Sequence, residues 1–79
     1  MKVFSERLKE LRKNMNFSQL QLANLLDTTN SSVCDWERER SQPDLQTLAM
    51  LACLFDVTVD YLLGLEDETG TKVKPYFNR

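Results

Sequence analysis

Apolar residues in the first half of the chain recur at helical spacing. Phe4, Leu8, Leu11 and Met15 fall three or four apart with Arg, Lys and Glu between them, which predicts an amphipathic helix from Phe4 to Met15. Asn16 can take the left-handed backbone that ends it. Ser18 and Gln21 form a capping box, with Phe17 and Leu22 placed as a hydrophobic staple, ahead of a second helix reaching Leu26. Asp27 and Thr28 read as a tight turn, and Thr29 can cap a third helix from Asn30 to Arg38. Pro43 marks a loop, Asp44 caps a fourth helix, and Leu45, Leu48, Leu51, Ala52 and Phe55 are its inward stripe. Thr58 caps a short fifth helix that Gly64 ends. Five short helices with brief connections predict an all-α domain.

Composition narrows the function. The chain has 79 residues, 42% hydrophobic and 28% charged, as expected for one small globular domain with a thin core. No apolar run nears the roughly 20 residues that span a bilayer, and MKVFSERLKEL turns polar too soon for a signal peptide. A cytoplasmic protein without a membrane partner is the expectation. Cys34 and Cys53 are the only cysteines and there is no histidine, so free thiols are expected, with no metal site, no cofactor and no catalytic residue. Net charge is −2, yet Lys2, Arg7, Lys9, Arg12 and Lys13 gather near the start, leaving room for one basic face.

The segment TTNSSVCDWERER at 28–40 is the most informative stretch. Two helices joined by a short turn make a helix-turn-helix, and the third helix takes the groove-entering position. Val33 and Trp36 lie three apart and can face the core, leaving Asn30, Ser31, Cys34, Asp35 and Arg38 outward.

At this point the sequence resembles the family of phage Cro and lambdoid repressors and their Xre-like bacterial relatives. The resemblance runs from Arg7 to Gly64 and is carried by RLKELR at 7–12, SQLQLA at 18–23, WER at 36–38, PDLQTL at 43–48 and VTVDYLLG at 57–64. It implies a five-helix bundle of the lambda-repressor-like type that binds double-stranded DNA as a homodimer and regulates transcription, as a repressor. By the same resemblance Asn30, Ser31 and Asp35 would meet base edges. Gln19, Thr28, Thr29, Arg38, Arg40 and Ser41 would approach phosphates, and Arg12 would pair with Glu37 inside the fold.

The sequence departs from that family where it commonly has glycine, at Asp27 in the turn and at Glu39 after the third helix. Leu20, Leu25, Met50 and Cys53 stand where relatives commonly carry charge, as scattered apolar residues or as a self-association surface. Residues 1–64 then form the DNA-binding domain. Residues 65–79, LEDETGTKVKPYFNR, read as a frayed tail or as an arm for a dimer or partner protein. That tail keeps open an antitoxin-type or protein-only interaction module as the alternative function.

Overall fold

The computed structural model describes residues 2–73. Its helices, in chain order, are α1 (Lys2–Asn14), α2 (Gln19–Leu25), α3 (Asn30–Glu37), α4 (Leu45–Phe55) and α5 (Val59–Leu62). Among the described residues there is no strand, only an isolated bridge between Glu66 and Lys72. No helix among them is long and apolar enough to cross a membrane.

The starts of α2 to α5 are each set by a side chain that satisfies a free backbone N–H. Ser18 Oγ accepts from Gln21 N at 3.0 Å while Gln21 Oε1 accepts from Ser18 N at 2.7 Å, the reciprocal capping box. Thr29, Asp44 and Thr58 cap α3, α4 and α5 through the N–H three residues on. Such a cap stabilises by about 1 kcal/mol. At Asp44 the bonds from Thr47 hold the carboxyl below its usual range. A folded-state value held below the unfolded one means that whatever the ionised Asp44 cap contributes is present at neutral pH and is lost as pH falls through it.

The five ends are alike. The N–H of Phe17, Thr28, Arg40, Val57 and Leu65 each returns to a carbonyl five residues back, at 2.8–3.1 Å. The residue before each has positive φ: Asn16, Asp27, Glu39 and Asp56 at 53–63°, and Gly64 at 80°. This is the Schellman closure, repeated after every helix.

The core joins all five helices through Phe4, Leu8, Leu22, Ala23, Leu26, Val33, Trp36, Leu48, Leu51, Ala52, Phe55 and Leu62. Leu11 packs partly buried against it, and two expected core residues are exposed. Leu45 is 85% exposed, because it opens α4 in a first turn that overhangs the core. Met15 is also exposed, because α1 has already ended and the Schellman turn carries it out of the helical register.

Residues 65–73 are not frayed; they fold back as a small turn. Val73 N donates to Leu65 O at 2.7 Å, and the Asp67 carboxylate accepts from Thr69 N and Thr71 N. The Thr69 and Thr71 bonds lower the Asp67 pKa. Arg7 fastens this turn to the body: one Nη donates to the carbonyls of Tyr61 and Glu66, and the guanidinium lies 4.0 Å over the Tyr61 ring. Thr58 also bonds Glu66, and Lys72 pairs with Asp60. The basic-aromatic end of the expected arm, residues 74–79, lies outside the described residues.

Gly64 gives a direct test of this packing. A Cβ there would sit 2.9 Å from Val3 Cγ1 on a backbone at φ +80°. Gly64→Ala is expected to destabilise the domain by about 1–2 kcal/mol and lower its melting temperature by roughly 4–8 °C per kcal/mol, read by circular dichroism.

Candidate nucleic-acid interface

The α2–turn–α3 unit builds a presenting surface. Val33 and Trp36 are buried and set the roll of α3; Ser5 Oγ donates to the carbonyl of Trp36 at 2.6 Å and holds that end against α1. On the opposite side Asn30, Ser31 and Arg38 are exposed, and Cys34 and Asp35 are half-buried. Asn30 and Ser31 occupy the first turn, where helix N-terminal residues can reach outward without crossing the rest of the helix.

Beneath this surface Arg12, Glu37 and Gln19 form one hydrogen-bonded network. Arg12 Nε and Nη2 donate to the two Glu37 oxygens at 2.6 and 3.1 Å, a bidentate pair. The third donor, Nη1, reaches the carbonyl of Phe17 at 2.8 Å, in the α1–α2 turn. Side-chain exposure is 11% for Arg12 and 2% for Glu37, so the pair is nearly dry. Gln19 Nε2 donates to Glu37 Oε1 at 3.2 Å, which commits one of its two amide hydrogens and leaves the other. The expected phosphate brace is therefore also a rivet between α2 and α3.

Other expected contacts are placed unevenly. The Thr29 hydroxyl accepts from Ser32 N and donates to Ser32 Oγ, so it is already engaged as a cap; Thr28 is half-buried. Arg38, Arg40 and Ser41 are exposed together after α3. Asp35 lies 3.9 Å from Arg40, an exposed pair that draws this cation toward the recognition helix. The pairing is worth little by itself. It does mean that Asp35 is not a bare negative charge on the surface.

The basic cluster near the start does not become one basic face. Arg7 and Arg12 are spent on internal acceptors and Lys2 pairs with Glu6 at 3.9 Å. Residue spacing cannot reveal this, because backbone carbonyl acceptors exist at every position. Neither the Gln19–Glu37 bond nor the Arg7 clamp had a signal in the sequence.

Residues 8–62 match the helix-turn-helix family model, a span that holds α2 to α5 and the second half of α1. The chain belongs to the Xre-like, lambda-repressor-like helix-turn-helix family. It is 46% identical over 66 residues to the helix-turn-helix-type transcriptional regulator AnsR of Bacillus subtilis, covering 84% of this chain and 57% of that protein. It is 40% identical over 72 residues to the uncharacterised helix-turn-helix-type regulator YobD of Bacillus subtilis, covering 91% and 64%. The chain thus spans only 57–64% of the length of these two relatives. In three dimensions it is similar to the P22 c2 repressor crystallised with a synthetic operator, with a TM-score of 0.71, 27% identity, and 75% and 89% of the two chains covered.

Two substitutions probe this helix-turn-helix unit. Arg12→Met leaves the Glu37 carboxylate buried without its partner and is expected to cost about 3–5 kcal/mol in urea unfolding. Adding Glu37→Met should recover most of that loss, because the uncompensated charge is removed. At Glu39, where φ is 63° and the side chain is exposed, Glu39→Gly should stabilise by about 1 kcal/mol in the same assay.

Proposed function

We propose that this chain is the DNA-binding part of a transcriptional repressor that recognises a palindromic operator as a homodimer. The carrying observation is the first turn of α3: Asn30 and Ser31 exposed on a helix whose roll is set by buried Val33 and Trp36. The likeness to helix-turn-helix-type transcriptional regulators, and to a repressor crystallised with operator DNA, supports the same reading.

In this reading α3 enters the major groove. Asn30 bonds adenine N6 and N7 bidentately, which discriminates by about 1–3 kcal/mol. Ser31 reads a donor or an acceptor with less selectivity, and Asp35 accepts from a cytosine N4 while Arg40 offsets its charge. Gln19 gives its remaining N–H to a phosphate. Thr28, Thr29, Arg38, Arg40 and Ser41 follow the backbone on either side, positioning the helix without reading sequence. Two copies place their recognition helices roughly 34 Å apart on one side of the duplex.

Selection of bound duplexes from a random pool at low salt tests this. The expected result is an inverted repeat with half-sites roughly 10–10.5 base pairs apart. Asn30→Ala should lose its preference at one base pair per half-site and keep its other preferences. Recovery of no motif would end the operator reading. Binding should also fall steeply as salt rises, since the phosphate term is sequence-independent.

A further inference from the structure

Residues 66–73 are held to the helices differently from any other part of the fold. None of them belongs to the apolar core or packs against it, and 68–73 are exposed. Among the described residues, every side-chain bond from this segment to the body involves a charged group. Arg7 on α1 donates to the Glu66 carbonyl at 2.7 Å, the Thr58 hydroxyl donates to the Glu66 carboxylate, and Lys72 pairs with Asp60. Arg7 joins the two sides: the same Nη reaches the Tyr61 carbonyl, the guanidinium covers the Tyr61 ring, and its charge acts on Asp67. Beneath the segment the packing is open. A cleft of about 340 Å³ separates Leu11, Val57 and Tyr61 on the body from 66–68 above them.

We propose that residues 66–73 are a strap, locked by Arg7, that opens and closes while the five helices stay folded. Opening breaks polar contacts, several of them at exposed side chains where water competes, and leaves the apolar core and the helix caps intact. Leu65 N is held by Asp60 O at 2.8 Å, so the pivot lies just beyond the closure of α5. Leaving the body and losing the internal bonds of the strap are one event, because a lone hairpin this short is not stable in water.

The consequence falls on the point from which the chain continues. Closed, Val73 N donates to Leu65 O at 2.7 Å, so that point is fixed beside the end of α5. Open, the released segment lets it move roughly 15 Å from Leu65. Opening also strips Leu11, Val57 and Tyr61 of their cover. The strap thus stores slack and hides an apolar floor, and it does so whether or not α3 reads an operator.

Amide hydrogen exchange of the full chain at rising urea, below the unfolding midpoint, separates local from global opening. The reporters are the N–H groups of Asp67 and Val73, bonded to Thr71 O and Leu65 O, against those of Leu51 and Ala52 inside α4. In the wild type, Asp67 and Val73 are expected to be protected but to exchange faster than Leu51 and Ala52, at a rate that hardly changes with urea. Arg7→Met keeps the apolar stem and removes the donors. It should speed exchange at Asp67 and Val73 roughly tenfold or more while helical circular dichroism and a cooperative melt are kept. Exchange at Asp67 and Val73 with the same rate and urea dependence as the core would overturn the strap, because it would then open only with the whole domain. Exchange there as fast as in a free peptide would overturn it too, since nothing would be closed. Both outcomes are read on the wild type, so the proposal is decided even where Arg7→Met does not fold. Unchanged exchange in a folded Arg7→Met would overturn the lock.

Discussion

A buried ion pair ties α3 to the rest of the domain. Arg12 grips both oxygens of Glu37 and, with its third donor, the carbonyl of Phe17, so one guanidinium spans α1, the turn after it and the end of α3. Gln19 joins the same carboxylate from α2. An apolar cluster in that place would hold the helices together but let them slide by fractions of a residue. A planar fork against a planar carboxylate fixes both distance and direction. Removing two charges from water is costly, and the network offsets this by leaving no buried side-chain polar atom unpartnered among the described residues.

Local signals were legible and distant ones were not. The start of α2, α3, α4 and α5 follows from Ser18, Thr29, Asp44 and Thr58, because a cap is a contract between residues three apart. Val33 and Trp36 face the core as their spacing implies, and the family pattern extends over the same stretch. Leu45 and Met15 misled because helical spacing says which residues share a face but not where the facing helix stops. The turn at 65–73 escaped for a different reason. Its anchors are the Tyr61 and Glu66 carbonyls, reached by an arginine more than fifty residues earlier, and no side-chain pattern encodes a backbone acceptor. For the residues expected to face a groove, spacing gave the side of α3 but not their internal commitments, such as Thr29 to Ser32 and Asp35 to Arg40.

Four of the five Schellman closures are made by Asn16, Asp27, Glu39 and Asp56, where glycine would be free of strain. A left-handed residue with a side chain costs on the order of 1 kcal/mol, less for Asn and Asp because their short polar side chains can bond locally. Glu39 lacks that relief and is the most strained of the four. Summed, the strain is a sizeable part of what a domain of this size has in hand. The fold tolerates it because each turn is held by two backbone bonds, one from the left-handed residue and one from the residue after it.

Strain at Glu39 and the internal use of arginine bear on the same surface. Of the five cations gathered in residues 2–13, Arg7 and Arg12 are consumed inside the fold and Lys2 faces Glu6. Around α3 the exposed charges nearly cancel: Arg38 and Arg40 stand beside Asp35 and Glu39. A surface like this draws little help from the long-range attraction that phosphates exert on basic proteins. In the proposed reading, affinity comes from fit: base-edge contacts that form only when α3 is held at the right roll, and a second copy on the same duplex. In that reading the Arg12–Glu37–Gln19 network answers the first of those needs. It ties α3 to α1 and to the start of α2 through one carboxylate, so the exposed first turn of α3 keeps a fixed direction within the domain.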